Sequence, residues 1–426
     1  MPRPRALLAT MPLDKLTASV CAILMLLGFL MISNAGVSNG TVTAQKALTS
    51  YGTIVASGNQ YNGLTVFQNS TMNYLEDKSG QITLSSSDAT AVINAAIGNA
   101  VSGDSILIEA GTYVMTNSVH GSSVNSVTLT LASGAILQAP SNFRVPIIFL
   151  NGVSNWVIQG GEIDGNSANQ PYTAWGISGF FGIGVGIELK NCANCIVQNM
   201  YIHDIRIYGV SISYGSTNVK LLNNHITNCG ANGIDVGEDW SGAASNCLAE
   251  GNLVESCSDV CIDVQGVNCQ VINNTVDDII STTNGMVNTH WAIGIESPNH
   301  ISGRGASNLI QGNTIHDCRW GVSIEIAQGT TATNTITSNN IYNVTWGIMY
   351  IDGNGNTANS NTISARSSCI YIGGNTNSQS AKYNILSGNT GVYCESGTSH
   401  NTCAGNDYSG CTYSFVDYGT GDTNSP

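Results

Sequence analysis

The sequence has few basic residues for its length. Lysine and arginine together number 13, against 27 aspartates and glutamates, so the formal net charge is −14. A surface of this sign repels phosphate groups, which excludes nucleic acid and anionic membranes as partners held by the net field of the protein. A polyanionic glycan would be repelled for the same reason unless a cation intervenes.

Charged residues of either sign are scarce as well, at 9% of the chain, whereas 42% of the residues are hydrophobic. Glycine, asparagine, serine and threonine are abundant. This composition excludes a disordered chain and favours a turn-rich, extracellular all-β protein.

Long apolar runs are missing except near the N-terminus. The run from Leu16 to Ile32 follows three basic residues and precedes the small residues Ser33-Asn34-Ala35. The pattern predicts that residues 1–35 are a secretory signal peptide, with an uncleaved membrane anchor as the alternative. Removing them takes away three basic residues and one acidic residue, which leaves 10 − 26 = −16. We therefore expect a secreted or cell-surface protein.

Helical periodicity is absent from most of the chain, and a short repeat takes its place. In the stretch from Asn232 to Val236, Asp235 follows Gly233 and Ile234, and this pattern returns every 22 to 33 residues. Each copy has Ile or Val before the reference position and Gly or Cys two before it. The equivalent positions are Glu188, Ser211, Asp235, Asp263, Glu296, Ser323, Met349, Tyr371 and Tyr393.

An asparagine series has the same irregular period. It comprises Asn224, Asn252, Asn274, Asn313, Asn339 and Asn361, with Asn389 continuing it. Two motifs that share one period indicate a solenoid, in which each coil buries its apolar face against its neighbours. The apolar runs are short and alternating, so each coil is expected to hold three short strands, with inward asparagines that bond to one another.

The chain divides into four segments on this reading. Residues 1–35 are the signal peptide, and residues 36–86 are a polar, β-rich leader. Ser87-Asp88 can cap a helix that would cover the open end of the solenoid. The solenoid itself is predicted for residues 87–395, and residues 396–426 form a C-terminal cap or tail.

Two stretches resemble a known superfamily. The run from Asp88 to Ile97, followed by Gly103-Asp104 and Ala110-Gly-Thr-Tyr113, resembles the opening of the pectate-lyase-like right-handed parallel β-helices. The stretch Asn155-Trp-Val-Ile-Gln-Gly-Gly-Glu-Ile-Asp-Gly165 is similar to a coil of the polygalacturonase branch. The resemblance implies an all-β fold: a single right-handed parallel β-helix with an N-terminal capping helix. It does not fix the activity, because this fold hosts lyases, hydrolases, epimerases and non-catalytic fibres.

Strand alternation predicts a row of outward carboxylates. With Ile234 and Val236 in the core, Asp235 faces outward, and Asp263 and Glu296 follow on the next two coils at about 4.8 Å spacing. Like charges at this spacing repel, so the row calls for a bound Ca²⁺ ion or for acid–base catalysis. A solvated acidic stripe is the alternative.

The polygalacturonase catalytic pattern is matched only in part. Its Asn-Thr-Asp is Gly230-Ala231-Asn232 here, and its Asp-Asp is Asp259-Val260. Its Gly-His-Gly is Ala292-Ile293-Gly294, and its Arg-Ile-Lys has no counterpart. The retained position implies that Asp259 is a general acid beside the apolar Val260. Asp235, flanked by glycines, is expected to be better hydrated and to act as the base.

A lyase is the alternative among enzymes. Elimination from a uronate needs a cation and a base, often Arg or Lys, and Arg319 and Arg206 are the candidates. Trp320 and Trp346 occupy equivalent positions and are either sugar-stacking platforms or core fillers. The predicted catalytic set is Asp235, Asp259, Asp263 and Arg319, and the predicted substrate-binding set is Trp320, Trp346, Arg206 and Glu325.

Cysteine spacing predicts stacked pairs. Cys229 and Cys257 occupy equivalent positions on adjacent coils, as do Cys247 and Cys269. We expect a disulfide in at least one pair and another among Cys394, Cys403 and Cys411, with stacked free thiols as the alternative.

The sequence thus predicts a secreted, carbohydrate-active protein. A polysaccharide lyase or glycoside hydrolase acting over the carboxylate row is the first hypothesis. A non-catalytic surface or adhesive β-helix is the alternative, since the hydrolase motif is incomplete.

Overall fold

The computed structural model describes residues 63–171, 183–237, 242–277, 291–297 and 304–425, together with the backbone of two short strands near the N-terminus. The chain divides into two units, Met1–Asn62 and Gly63–Pro426. In the first unit, strands β1 and β2 (Val37–Ser38 and Thr41–Val42) form an antiparallel pair. The predicted signal peptide lies outside the described residues.

The second unit holds one α-helix among its described residues, α1 (Ala89–Asn99), and a long series of short strands. The strands before Gly237 are β3 Leu64–Gln68, β4 Asn73–Glu76, β5 Ile82–Ser86, β6 Ser105–Ile108, β7 Gly111–Val114, β8 Val119–Gly121, β9 Thr128–Leu131, β10 Ala135–Gln138, β11 Ile148–Asn151, β12 Val157–Gln159, β13 Glu162–Asp164, β14 Ile187–Lys190, β15 Ile196–Gln198, β16 Tyr201–Ile205, β17 Val210–Ser213, β18 Lys220–Leu222, β19 His225–Cys229 and β20 Ile234–Val236. The later strands are β21 Leu248–Glu250, β22 Leu253–Cys257, β23 Val260–Val264, β24 Gln270–Ile272, β25 Thr275–Asp277, β26 Trp291–Glu296, β27 Leu309–Gln311, β28 Thr314–His316, β29 Trp320–Glu325, β30 Thr335–Thr337, β31 Asn340–Tyr350, β32 Thr357–Asn359, β33 Thr362–Ile372, β34 Ser380–Lys382, β35 Ile385–Cys394, β36 Thr402–Ala404, β37 Asp407–Asp417 and β38 Thr423–Ser425.

The strands stack coil upon coil in parallel, which confirms the predicted right-handed parallel β-helix. Each coil contributes one strand to a 16-stranded sheet and two strands to a 20-stranded sheet, which bends around the solenoid. In the last coils the two strands of the bent sheet merge into one, as in β31 and β33. The core lies inside the coils and is built of alternate residues, such as Ile234, Val236 and Ile262.

The inward asparagine series forms a hydrogen-bonded ladder. Each Asn Nδ2 donates to the Oδ1 of the asparagine on the next coil, as in Asn274 to Asn313 (3.0 Å) and Asn313 to Asn339 (2.9 Å). The ladder continues through Asn384 rather than the predicted Asn389, because Asn384 Oδ1 accepts from Asn361. Every rung is buried, so each amide satisfies backbone groups that no water reaches.

Helix α1 covers the first coil, as predicted. The Asp88 carboxylate caps it by accepting from the backbone N–H groups of Thr90 and Ala91. Val92 and Ile93 on its inner face join the core of the solenoid.

The solenoid extends beyond both predicted boundaries. Strand β3, inside the predicted leader, pairs in parallel with β6. Strands β36, β37 and β38, inside the predicted tail, continue the coils. No helix in the described part of the chain is long and apolar enough to cross a membrane.

The cysteines stack without joining. Cys229 pairs in register with Cys257, as predicted, yet each described cysteine is a free thiol. The expected disulfides are therefore not formed in this structure, and the thiols, apart from the half-buried Cys411, pack as small buried side chains.

Candidate functional site

The outward face of strands β14, β17, β20, β23, β26 and β29 carries a column of polar residues. In register these are Glu188, Ser211, Asp235, Asp263, Gly294 and Ser323. We call this set the carboxylate column. It faces away from the core because the residues on either side of each reference position, such as Ile234 and Val236, point inward.

Asp235 and Asp263 form an adjacent, buried pair. Their side chains are 0% and 2% exposed. Ser211 Oγ donates to Asp235 Oδ2 at 3.2 Å, and Gln265 Nε2 donates to Asp263 Oδ2 at 2.8 Å. Asn232, which stands where polygalacturonases have an aspartate, also donates to Asp263 Oδ2 at 3.5 Å. The outward orientation was predicted correctly, but the expected hydration of Asp235 was wrong.

Glu296 does not continue this pair. Gly294 lies opposite Asp263, while Glu296 lies two residues further along β26 and pairs in register with Glu325. Of the three carboxylates predicted to bind calcium, Asp235 and Asp263 therefore lie opposite each other on adjacent strands, whereas Glu296 is displaced by two residues along β26. Elsewhere in the described chain, groups such as Asp164, His203 and Asp204 bring three potential ligand atoms within 4.8 Å.

Asp259, the predicted general acid, lies at the bend before β23 and is only partly buried. Its neighbour Val260 pairs in register with Trp291. The predicted order of burial is thus reversed, since Asp235 is the desolvated carboxylate and Asp259 is the more accessible one.

Two further polar residues lie at the site, and sequence reasoning missed the second of them. Gln265 shares the face of Asp263, and its Oε1 is buried with no hydrogen-bond partner among the described residues. Arg304, 5% exposed, donates from Nη1 to the Gly237 carbonyl at 2.7 Å, two residues beyond Asp235. Strand parity predicts that Gln265 faces outward with Asp263. Arg304 lies between two repeats, so the repeat pattern does not predict that it belongs to the site.

A tryptophan platform flanks the carboxylate column. Trp320 stacks on Trp346 with ring centroids 5.6 Å apart, and Trp291 meets Trp320 edge-on at 6.4 Å. The Arg319 guanidinium lies 4.3 Å from the centroid of the Trp320 ring and 5.6 Å from that of Trp346. Trp320 Nε1 is buried and lacks a hydrogen-bond partner within the described residues. The three rings and Arg319 form one continuous surface.

Arg206 is not part of this platform. It lines a small cavity with Phe143 and Gln170. It follows β16, on the coil of Ser211, three coils before Trp291. The structure therefore separates Arg206 from the other predicted substrate-binding residues.

His203 bridges carboxylates on another part of the bent sheet. Its ring nitrogens lie 2.9 Å from Glu162 and 2.9 Å from Asp204. Burial opposes its protonation, but the two carboxylates outweigh that effect and raise the pKa of His203 above 6.5. His316 and Asp317 make the same contact on a later coil. In both pairs the aspartate has a positive φ, 52° for Asp204 and 56° for Asp317.

The chain has the fold of a right-handed parallel β-helix. No protein-family model and no curated protein matches the chain. Among solved structures, the A-module of a mannuronan C-5 epimerase from Azotobacter vinelandii matches with a TM-score of 0.65 and 14% identity, over 79% of this chain and 94% of the other.

Two further matches come from different functional groups. A family 28 exopolygalacturonase from Yersinia enterocolitica gives a TM-score of 0.57 at 14% identity, over 83% of this chain and 82% of that one. PfbA, a surface adhesin of Streptococcus pneumoniae, gives 0.53 at 14% identity, over 74% and 86%. At such identities the similarity shows the fold alone, so the activity must be argued from the site.

Proposed function

We propose that the protein is a secreted glycoside hydrolase that acts on a polysaccharide laid across the carboxylate column. The observation that carries the proposal is the buried Asp235–Asp263 pair beside the tryptophan platform. Adjacent parallel strands place equivalent residues about 4.8 Å apart. Carboxyl groups separated by about 5 to 5.5 Å are the working pair of retaining glycosidases.

The chemistry follows from that separation. One carboxylate attacks the anomeric carbon, while the other, protonated, gives its proton to the leaving glycosidic oxygen. Water then cleaves the glycosyl–enzyme ester and restores both groups. Because Asp235 has no exposed surface, the substrate reaches the pair only when the site opens.

The platform supports hydrolysis over elimination. The Arg319 guanidinium lies over two indole rings, which positions it as a cation for substrate binding and not as a base. Its charge is suited instead to holding sugar oxygens beside the indole rings. We therefore assign Arg319, Trp320 and Trp346 to substrate binding.

Calcium is the second part of the proposal. The donors on this face are oxygens, namely the Asp235 and Asp263 carboxylates and the buried Gln265 Oε1. An all-oxygen set of this kind fits a hard cation. A Ca²⁺ ion bound while both carboxyl groups are ionised would offset the repulsion between them, and it would have to leave before one of them can act as the proton donor.

A polysaccharide panel tests the function. Purified protein is incubated with acidic and neutral polysaccharides, and both new reducing ends and unsaturated-uronate absorbance are recorded. We expect reducing ends without the absorbance. Absorbance would assign a lyase, and silence across the panel would favour a non-catalytic adhesin.

Single amide variants then locate the acid. Asp263→Asn and Asp235→Asn are expected to abolish turnover. If only Asp259→Asn does so, the half-buried Asp259 is the catalytic acid and the buried pair serves the fold.

A further inference from the structure

A cavity of about 460 Å³ opens on the outward face at the N-terminal end of the solenoid. His120, Phe149, Glu188, Lys190 and Tyr214 line it. Its volume lies within the range of about 300 to 1,000 Å³ that small-ligand sites occupy. No residue of this cavity except Glu188 belongs to the carboxylate column as defined above.

The cavity is aligned with the proposed catalytic pair. His120 pairs in register with Phe149, Phe149 with Glu188, Glu188 with Ser211, and Ser211 with Asp235. Two coil steps therefore separate Glu188 from Asp235, a distance of about 10 Å along the axis. A glycan that crosses the pair along the solenoid axis would enter this cavity.

The coils of β8 and β11 supply an aromatic wall. The rings of His120 and Phe149 stack with centroids 5.2 Å apart and an angle of 15° between their planes. Flat rings of this kind offer an apolar face to the C–H side of a sugar ring, as the tryptophans do on the other side of the pair.

The next two coils, those of β14 and β17, supply charged and polar groups. Glu188 is 5% exposed, and Lys190 Nζ lies 3.4 Å from the centroid of the Tyr214 ring. Tyr214 has φ 55°, at the position where the two preceding coils have Asn191 and Gly152. A bulky residue is rare in this left-handed region, and Tyr383 is the other tyrosine of the described chain that adopts it.

The charges of the cavity select its ligand. One carboxylate and one ammonium line it, so their charges cancel, and Asp235 and Asp263 lie further along the same column. A sugar with its own carboxylate would meet more negative than positive charge. Uncharged hydroxyls, in contrast, can donate to Glu188 and accept from Lys190.

We propose that this cavity is a subsite for one neutral pyranose unit of the polysaccharide, which rests on Phe149 and His120 and is held by Glu188 and Lys190. The inference rests on the proposed function for the glycan path, but it is tested by binding alone. The substrate is accordingly a neutral polysaccharide, or one whose unit at this position is neutral.

The test uses isothermal titration of the full chain with defined probes. These are neutral gluco-, xylo- and manno-oligosaccharides of two to six units, and oligogalacturonates of the same lengths. Glu188→Gln keeps the shape of the side chain and removes its charge, and Phe149→Ala removes the ring. Glu250→Gln, on the 16-stranded sheet, is the matched control.

We expect a neutral series to bind, with about a tenfold or greater loss of affinity in Glu188→Gln and Phe149→Ala and no change in Glu250→Gln. Wild-type affinity in both cavity variants, tighter binding of oligogalacturonates, or no binding of any probe would overturn the subsite. If the wild type cleaves a polysaccharide while the cavity variants bind normally, only the subsite fails. If binding depends on Glu188 but nothing is cleaved, the subsite stands and the hydrolase proposal fails.

Discussion

The asparagine ladder inside the solenoid and the carboxylate column outside it are both built from one residue per coil. Inside, the same amide recurs, and each one donates to the next and to a backbone carbonyl, as Asn313 does to Asn339 and Val271. Outside, the residue changes from coil to coil, and buried oxygens such as Ser323 Oγ lack a hydrogen-bond partner in the described chain.

The difference separates structure from function within one repeat. A position that must satisfy the backbone of the next coil is limited to amide side chains, such as Asn313 or, in a second inward series, Gln379, because an apolar residue leaves a buried group unpaired. A position that faces outward is free of that demand. Buried, unmatched polar groups at such a position point to a ligand.

Breaking the ladder should have the largest effect. In Asn313→Leu the backbone N–H of Asn274 loses its acceptor (2.8 Å) and the Val271 carbonyl loses its donor (2.9 Å). Two unsatisfied buried groups at about 1 to 3 kcal/mol each predict a loss of about 2 to 6 kcal/mol in the free energy of unfolding. Urea denaturation measures it.

The matched control is Ser323→Ala on the carboxylate column. Ser323 is as fully buried as Asn313, but its hydroxyl has no partner in the described chain. Its removal should be neutral or stabilising. Equal losses from the two variants would contradict the distinction between the ladder and the column.

Calcium should stabilise the column and not the ladder. With Ca²⁺ at about a hundredfold excess over its dissociation constant, the fold should gain about 2.7 kcal/mol, seen as a rise in melting temperature that chelator reverses. Asp263→Asn should lose this rise, whereas Asn313→Leu should keep it from a lower starting point. If Asp263→Asn kept the whole rise in melting temperature, the ion would bind at another site, for example at Asp164, His203 and Asp204.

Removing one ring of the tryptophan platform should weaken glycan binding without unfolding the protein. Trp320→Ala deletes the ring that contacts both Trp346 and Arg319. A ring contact of this kind contributes about 0.5 to 1.5 kcal/mol, so the affinity should fall up to about tenfold. Tyr383 is an exposed aromatic residue that follows β34 of the 16-stranded sheet, so Tyr383→Ala should bind glycan as the wild type does.

The smallest effect concerns pH. The raised pKa of His203 means that the folded state holds its proton more tightly than the unfolded state does. The resulting stability is fully present below about pH 6.5 and is lost as the pH rises through the raised folded value. In His203→Gln this part of the pH dependence should vanish from urea midpoints measured between about pH 6 and pH 9. An unchanged profile would show that the bridge to Glu162 and Asp204 does not couple to folding.

The sequence predicted the repeat and the outward side of Asp235 and Asp263 because both follow from alternation. It misplaced Glu296 because Ala292-Ile293-Gly294 and Gly294-Ile295-Glu296 each fit the apolar pattern. In the structure Trp291 pairs with Val260 and with Trp320, and this register sets Gly294 opposite Asp263.

Two other features could not be read from periodicity. Strict alternation predicts that Gly233 faces outward with Asp235, but a Cβ there would lie 2.4 Å from Val254 Cγ1, so it faces the core at a bend. Burial of the carboxylates depends on what packs over the strand, such as Arg304 against Gly237. Aligning the repeats of the sequence shows neither the bend at Gly233 nor the residues that cover the carboxylates.

The central claim is that Asp263 performs chemistry on a polysaccharide. Its most direct test is the rate of reducing-end release by Asp263→Asn, relative to the wild type, on the polysaccharide that the panel identifies. The account predicts a loss of about 10²- to 10⁴-fold with an unchanged melting temperature in chelator. Wild-type release by a folded Asp263→Asn protein would contradict it.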